Sequence, residues 1–178
     1  MVEIEGKAGR REIPLESFHL LPGDTPYRET VLAPGDLIIA LRQPAPAAQF
    51  AAHARYLKVR ERTSYAFAVV SAAAALRLAN GSIEEARIAL GGVAPKPWRV
   101  REAEEALRGA RADSASFHDA AATALAGAKP SGDNAFKIEL ARRIVARALA
   151  LAAAGTPERV PALPASPLAP FSGVAIHA

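Results

Sequence analysis

The pattern of hydrophobic and polar positions changes once along the chain, near Pro97. Before Pro97, apolar and polar residues mostly alternate at a period of two, which is typical of strands. After it, apolar residues recur every three or four positions, which is typical of amphipathic helices. Because the strands precede the helices instead of alternating with them, the pattern predicts an α+β fold with an antiparallel sheet.

The N-terminal region predicts short strands joined by turns. Residues 1–21 alternate at period two around the turn GKAGR, and residues 21–29 contain two prolines and a glycine that indicate a loop. The stretch 29–42 predicts a strand, a Pro-Gly turn and a second strand over Asp36–Arg42. The prolines and alanines of 44–48 end that strand and predict a linker.

The middle of the chain predicts a three-stranded antiparallel sheet over residues 51–92. Phe50–Glu61 is the first strand, because polar and apolar side chains alternate along it. The alanines of Tyr65–Leu78 favour helix, whereas its aromatic and β-branched start and the Asn-Gly turn after it favour one arm of a hairpin. We predict a strand there, with Ile83–Leu90 as the returning strand.

Three helices are predicted after the sheet. The first covers Val100–Leu107, and the second covers Asp113–Ala126 with Asp113 or Ser114 as its N-cap. The third helix, 132–154, has the strongest periodicity. Asp133 and Asn134 supply its cap chemistry, and Gly155 and Pro157 end it.

Composition excludes several classes of function. The 178 residues contain no cysteine, which rules out disulfides, iron–sulfur ligation and a cysteine nucleophile. No apolar stretch approaches the roughly 20 residues of a membrane span, and the N-terminus lacks the apolar core of a signal peptide. The formal charge is +4 with acids interspersed among the bases, so we expect solvated helix faces and no nucleic-acid partner.

Candidate chemistry is sparse when the residues are taken alone. The four histidines lie far apart, and no phosphate-binding or nucleophile motif is present. The paired carboxylates Glu84-Glu85 and the group Glu102, Glu104 and Glu105 are predicted to be solvent-facing charges on an edge strand and a helix. The residues by themselves therefore indicate an α+β domain and no reaction.

Four stretches together resemble the flavin-binding medium subunit of molybdenum hydroxylases, the family of xanthine dehydrogenase, aldehyde oxidoreductase and carbon monoxide dehydrogenase. They are IPLESFHLLPGDTPYRETVLAPGDLIIAL, YLKVRERTSYAFAVVSAAAAL, ARIALGGVAPKPWRVREAEEAL and PSGDNAFKIELARRIVARAL. They occur in the family's order, and the GGVAP block is the most specific of them. The pattern is most similar to the bacterial subunits of the aldehyde oxidoreductase type.

The resemblance implies a division of the chain. Residues 1–49 would be the end of an FAD-binding domain. Residues 50–154 would be the subunit's C-terminal domain, a three-stranded antiparallel sheet packed on a three-helix bundle, and residues 155–178 a Pro-rich tail, extended or disordered. The family's glycine-rich segments, whose amides hold the FAD pyrophosphate, have no counterpart here. A split gene product, a truncated reading frame and a fragment all stay open, and we expect that this chain alone does not retain FAD.

The resemblance also implies a site around the flavin. Ile38 matches the apolar residue that packs on the isoalloxazine, and Lys58 matches the lysine beside the ring. Arg62 and Tyr65 match the mobile loop beside the flavin. For Ile38 an ordinary strand-core position is the alternative and is compatible with the flavin contact. For Lys58 an exposed strand lysine is an alternative of equal weight. Gly91 and Gly92 are expected to permit a tight strand exit and not to contact the cofactor.

The function implied by the resemblance is electron transfer within a complex. Electrons would pass from a molybdopterin-binding large subunit through the [2Fe-2S] clusters of a small subunit to FAD and an external acceptor. The chain would be an oxidoreductase subunit, inactive when isolated, cytoplasmic or else periplasmic by export with a partner. The alternative is a truncated docking module of the same complex without a cofactor. Substrate and electron acceptor stay open.

Overall fold

A computed structural model describes residues 1–158 and contains two antiparallel three-stranded sheets. The first sheet has the order β2-β1-β3, and its strands are β1 (Val2–Gly6), β2 (Gly9–Ile13) and β3 (Leu37–Leu41). One helical turn, α1 (Leu15–Phe18), follows β2. A small core formed by Val2, Ile4 and Phe18 supports this sheet.

The second sheet is covered on one face by three helices. Its order is β4-β5-β6, with strands β4 (Ala54–Val59), β5 (Val70–Ala79) and β6 (Ser82–Gly91). The helices are α2 (Arg101–Ala106), α3 (Ser114–Ala124) and α4 (Phe136–Ala153). The larger hydrophobic core lies between these two layers, separate from the small core of the first sheet. The predicted α+β class, the antiparallel sheet and the three helices are thereby confirmed.

Small side chains bring the second sheet and its helices close together. Alternate residues of β5, Ala72, Ala74 and Leu76, face the helices and are buried. On the helical side Ala141 and Ala148 are fully buried. Because an alanine occupies little volume, the two layers can approach closely while each residue keeps the packing density of a protein interior.

The turn between β5 and β6 explains why the alanine-rich run is a strand. Asn80 and Gly81 both have positive φ angles, 51° and 77°, as the two central residues of a type I′ hairpin turn require. The register then pairs Ala79 with Ser82 and continues to Ser71 opposite Gly91, with one irregularity near Leu78. The hairpin turn therefore outweighs the helical preference of the alanines.

The C-terminus of α4 is fastened to the start of β4. The last carbonyls of a helix lack partners within the helix, and cationic or donor side chains can satisfy them. Here the Nδ1 of His53 lies 3.0 Å from the carbonyl oxygen of Ala152, and the Nε of Arg55 donates to the carbonyl of Leu151 at 3.4 Å. The backbone N–H of Thr156 donates to the carbonyl of Ala52 at 2.8 Å. These bonds fix the helix across the sheet.

Helix α3 begins at the predicted N-cap, and we expect its stability contribution to depend on pH. The Asp113 carboxylate accepts a hydrogen bond from the N–H of Ser116, and this bond holds the pKa of Asp113 below its usual range. A carboxyl with a depressed folded-state pKa stabilises the fold above its unfolded-state pKa and loses that contribution as the pH falls through the folded value. Asp113→Ala should therefore lower the urea midpoint near neutral pH.

The control for this expectation is the same pair of proteins in acid. Once Asp113 is protonated, wild type and Asp113→Ala should have urea midpoints that nearly coincide, whereas Asp113→Asn should keep most of the cap near neutral pH. Circular dichroism during urea titration measures each midpoint. A difference that is independent of pH would contradict the charged cap.

The structure corrects three of the predicted strand regions. The linker and the start of the strand Phe50–Glu61 form a 3-10 segment, Ala45–His53, because prolines with fixed φ near the helical value introduce a run of alanines. The strand predicted for Tyr65–Leu78 begins only at Val70. The strand predicted around 29–33 reduces to an isolated bridge between Thr30 and His19, because the following Pro-Gly turn interrupts the pairing.

Two predicted side-chain roles are also corrected. Asn134 accepts from the N–H of Ser131 and so serves the turn before α4, whose N-cap residue is Ala135 without a side-chain bond. Glu104 is not a solvent-facing charge, since only 5% of it is exposed. The predicted tail 155–178 lies largely outside the described residues.

Candidate functional site

The β4–β5 loop, defined here as residues 60–69, carries two of the four predicted site residues, Arg62 and Tyr65, and a third, Lys58, lies on the strand just before it. Its base is closed by the N–H of Val69, which donates to the carbonyl of Val59 at 2.9 Å. Lys58 is the last exposed residue of β4 before this loop and lies on the sheet face opposite the helices. Its neighbour Leu57 points the other way and packs on the larger core. The alternation of β4 therefore places Lys58 on the exposed sheet face.

Two cations cross the loop and bond to consecutive carbonyl groups. The Nζ of Lys58 donates to the carbonyl of Ala66 at 2.6 Å. The Nη2 of Arg62 donates to the carbonyl of Tyr65 at 2.5 Å. Hydrogen bonds from charged donors are short and strong compared with neutral ones, so these two contacts define the backbone path of the loop. The structure thus brings Lys58, Arg62 and Tyr65 together.

The tip of the loop presents two aromatic side chains to solvent. Tyr65 is 97% exposed and Phe67 is 98% exposed. Tyr65 also has a φ of 48°, in the left-handed region that a residue with a Cβ seldom adopts. Exposed aromatic residues on a strained backbone are concentrated at sites that contact a ligand or partner.

Ile38 lies in the other sheet. It is on β3, opposite Ile4 of β1, and it is 49% exposed although Ile4 is fully buried. The strand forms an exposed apolar strip whose other large members are Leu37, Ile39 and Leu41. Within residues 1–158 no hydrogen bond or ion pair joins this strip to the β4–β5 loop. The predicted site is therefore divided between an apolar strip and a cationic aromatic loop.

Gly91 and Gly92 face this chain's own atoms. A Cβ on Gly91 would lie 2.7 Å from the Oγ of Ser71, and a Cβ on Gly92 would lie 2.9 Å from the carbonyl oxygen of Ala68. The space beside both glycines is therefore occupied by β5 and the end of the β4–β5 loop. This geometry supports the expected role in a tight strand exit.

Strand β6, the segment before α2 and α2 itself are joined by one buried carboxylate. Both oxygens of Glu104 accept from Arg99, each at 2.7 Å, and Oε1 also accepts from the backbone N–H of Ile88 at 2.9 Å. The pair raises the pKa of Arg99. Sequence reasoning missed this cluster, although Glu104 lies on the same helical face as Val100 and Leu107, four residues before it and three after it.

An open cleft lies on the sheet face opposite the helices. Its volume is about 1000 Å³, and it separates the 3-10 segment from the outward side chains of the second sheet. Phe50 lies beneath Arg87 at one side, with the guanidinium carbon 5.4 Å from the ring centroid. None of the four predicted site residues is among its lining residues.

Among residues 1–158 no group of three or more potential His, Asp or Glu ligands lies close enough to hold a metal ion. No helix in that range is both long and apolar enough to cross a bilayer.

The chain belongs to the CO dehydrogenase flavoprotein C-terminal domain family, whose model matches residues 55–152. The matched region runs from β4 to α4 and so contains the second sheet, its helices and the β4–β5 loop. The family assignment confirms the resemblance inferred from the sequence.

Two curated relatives are FAD-binding subunits from Escherichia coli strain K12. The chain is 46% identical over 151 residues to the aldehyde oxidoreductase FAD-binding subunit PaoB, an alignment that covers 84% of this chain and 42% of PaoB. It is 30% identical over 109 residues to the putative xanthine dehydrogenase FAD-binding subunit XdhB, covering 61% of this chain and 35% of XdhB. The chain thus spans less than half the length of these relatives.

Solved structures of carbon monoxide dehydrogenases have the same fold. The reconstituted enzyme from Oligotropha carboxidovorans matches with a TM-score of 0.76 and 26% identity, over 87% of this chain and 53% of the matched chain. The enzyme from Hydrogenophaga pseudoflava that lacks the Mo-pyranopterin moiety of its molybdenum cofactor matches with a TM-score of 0.71 and 29% identity, over 86% and 52%. The match extends beyond the family domain into the first sheet.

Proposed function

We propose that this chain is the C-terminal part of the FAD-binding subunit of a molybdenum hydroxylase of the aldehyde oxidoreductase type. The observation that carries the proposal is the 46% identity to PaoB over 151 residues, which includes the β4–β5 loop. In this proposal residues 1–49 complete an FAD-binding domain, and residues 50–154 form the domain that follows it. The two separate hydrophobic cores agree with that division.

The chemistry of the predicted site residues supports a role beside the flavin ring. The exposed side chain of Ile38 offers an apolar wall, and the exposed ring of Tyr65 offers an aromatic one. Lys58 and Arg62 supply positive charge beside Tyr65. An apolar and aromatic enclosure excludes water from the ring, and a fixed cation favours the more negatively charged reduced form.

The pyrophosphate of FAD finds no equivalent fit in the described residues. On the side where a Cβ would lie, Gly91 and Gly92 are in contact with Ser71 and Ala68, so a phosphate could not approach these glycines from that side. Bound FAD would supply the redox chemistry, whereas this chain would position and surround the ring. We propose that the phosphate grip comes from a segment that this chain does not contain, with molybdopterin and [2Fe-2S] subunits as further partners.

The experiment that tests the proposal is fusion to the unmatched N-terminal part of PaoB. The fused protein should retain flavin absorbance after gel filtration, whereas the chain alone, titrated with FAD, should show no tight quenching of flavin fluorescence. Tyr65→Ala combined with Ile38→Asp should reduce the flavin content of the fusion. Gln43→Ala, in the separate cleft, is the control.

Two results would contradict the proposal. A fusion that folds and assembles with its partner subunits without flavin would indicate the cofactor-free docking module. Sub-micromolar binding of FAD by the chain alone would contradict the missing phosphate grip, because that affinity requires more than about 8 kcal/mol.

A further inference from the structure

The β4–β5 loop is held by side chains that would otherwise be free to approach a ligand. The ammonium group of Lys58 is 2.6 Å from the carbonyl oxygen of Ala66, and the guanidinium of Arg62 is 2.5 Å from that of Tyr65. Neither donor belongs to the residues whose carbonyls it binds. Lys58 is on β4, before the loop, and Arg62 lies in the first half of the loop. The two acceptors belong to adjacent peptide units at the tip.

We propose that Lys58 and Arg62 are positioning residues that order the loop tip and present Tyr65 and Phe67 as a preformed aromatic surface for a planar ring. The identity of that ring as the flavin of FAD rests on the proposed function. The ordering of the loop does not, because it follows from contacts within this chain. Lys58 would therefore act on the ligand through the backbone as well as through its charge.

The backbone at Tyr65 shows why two bonds are needed. A φ of 48° is unfavourable for a residue with a Cβ, so an unrestrained loop would leave this conformation. Neither aromatic side chain is held by packing, since Tyr65 and Phe67 are 97% and 98% exposed. The bonds from Lys58 and Arg62 end on the carbonyl of Ala66 and on that of Tyr65 itself, so they restrain the backbone directly after the strained φ and favour this conformation.

Ordering in advance would favour binding of a flat ligand. A loop that is already fixed loses little conformational freedom when the ligand binds, so more of the contact energy appears as affinity. A role of Lys58 through charge alone makes a different prediction. A charge acts on the ring at a distance and would leave the order of the empty loop unchanged when it is removed.

Chymotrypsin cleavage of the full chain measures loop order without any flavin. The enzyme cuts after aromatic residues, so Tyr65 and Phe67 are the reporters, and cleavage requires the loop to leave its held conformation. We expect Lys58→Met and Arg62→Met each to increase the rate of cleavage at these two residues by about tenfold, the equivalent of one hydrogen bond of about 1.4 kcal/mol. Lys58→Arg should restore the slow rate.

The controls separate loop order from general destabilisation. Lys7→Met lies in the β1–β2 turn and should leave the cleavage rate unchanged. The thermal midpoint of Lys58→Met should match that of wild type, because the larger core does not include this side chain. Equal cleavage rates in wild type, Lys58→Met and Arg62→Met would overturn the proposal, as would faster cleavage accompanied by a lower thermal midpoint.

FAD binding by the fusion protein tests whether the ring that the loop receives is the flavin. In the fusion with the N-terminal part of PaoB, Lys58→Met should weaken FAD binding, and Lys58→Arg should restore it. If Lys58→Met is cleaved faster by chymotrypsin but binds FAD with unchanged affinity, the proposal that the ordered loop positions aromatic side chains for the flavin is overturned. A fusion without any flavin in the wild type would overturn the proposed function, while the cleavage rates would still decide whether Lys58 and Arg62 order the loop.

Discussion

Replacing Glu104 by alanine is expected to lower the free energy of unfolding by about 3 kcal/mol, the lower end of the range for breaking a buried ion pair. The carboxylate is 5% exposed and accepts bonds from Arg99 and from the N–H of Ile88. Its removal leaves a guanidinium without its bidentate partner and a strand-edge N–H without an acceptor. The lower end applies because the Arg99 side chain is 32% exposed and water can partly solvate it.

The fluorescence of Trp98 during urea unfolding can measure this loss. This single tryptophan donates its indole N–H to the carbonyl of Ala124 at 3.0 Å and therefore reports on the layer between α3 and β6. Glu102→Ala, an exposed glutamate on the same helix, is the matched control and should change the free energy by less than about 0.5 kcal/mol. Equal losses in the two variants would show that Glu104 contributes only helix propensity.

Replacing Gly92 by alanine is expected to lower the free energy of unfolding by about 2–4 kcal/mol, combining the cost of a left-handed residue with that of a steric overlap. The φ of Gly92 is 74°, and an added Cβ would lie 2.9 Å from the carbonyl oxygen of Ala68 and 3.1 Å from that of Val69. Both of these oxygens are backbone atoms at the end of the β4–β5 loop. Relief of the overlap would therefore displace the loop.

Two other glycines separate the cost of the left-handed conformation from the cost of the steric overlap. Gly109 has a φ of 77°, and an added Cβ would meet nothing within 4 Å, so Gly109→Ala should show only the conformational cost. Gly127 has neither a positive φ nor a close neighbour, and Gly127→Ala should be neutral or slightly stabilising. Urea midpoints should fall in the order Gly127→Ala, Gly109→Ala, Gly92→Ala. If Gly92→Ala equals Gly109→Ala, the overlap relaxes without cost.

The sequence predicted correctly those elements that a few neighbouring residues determine. The Asn80 and Gly81 turn identified the hairpin, and the Asp113 cap placed the start of α3 within one residue of its observed start. The 3-10 segment was missed because its prolines and alanines also fit a linker. It becomes ordered through a distant contact, since Phe50 is buried and lies against Arg87 of β6.

The site was predictable only in part. Resemblance identified Ile38, Lys58, Arg62 and Tyr65, and their roles toward a flavin stay predictions. The bonds from Lys58 and Arg62 end on backbone carbonyls, which every residue has, so no pattern of side chains could reveal them. The burial of Glu104 was predictable in principle from its helical face, but three glutamates so close together indicated a solvated surface.

The exposed strip on β3 determines how this chain behaves in concentrated solution. Leu37 and Leu41 are 67% and 75% exposed, and within residues 1–158 the strand pairs along one edge only, with β1. An exposed apolar strand with an open edge is a template for pairing with another copy of itself. The formal charge of +4 on 178 residues provides weak mutual repulsion, and salt screens it further. We therefore expect the chain to self-associate through this strand as its concentration rises, and low ionic strength to be the condition that best keeps it monodisperse.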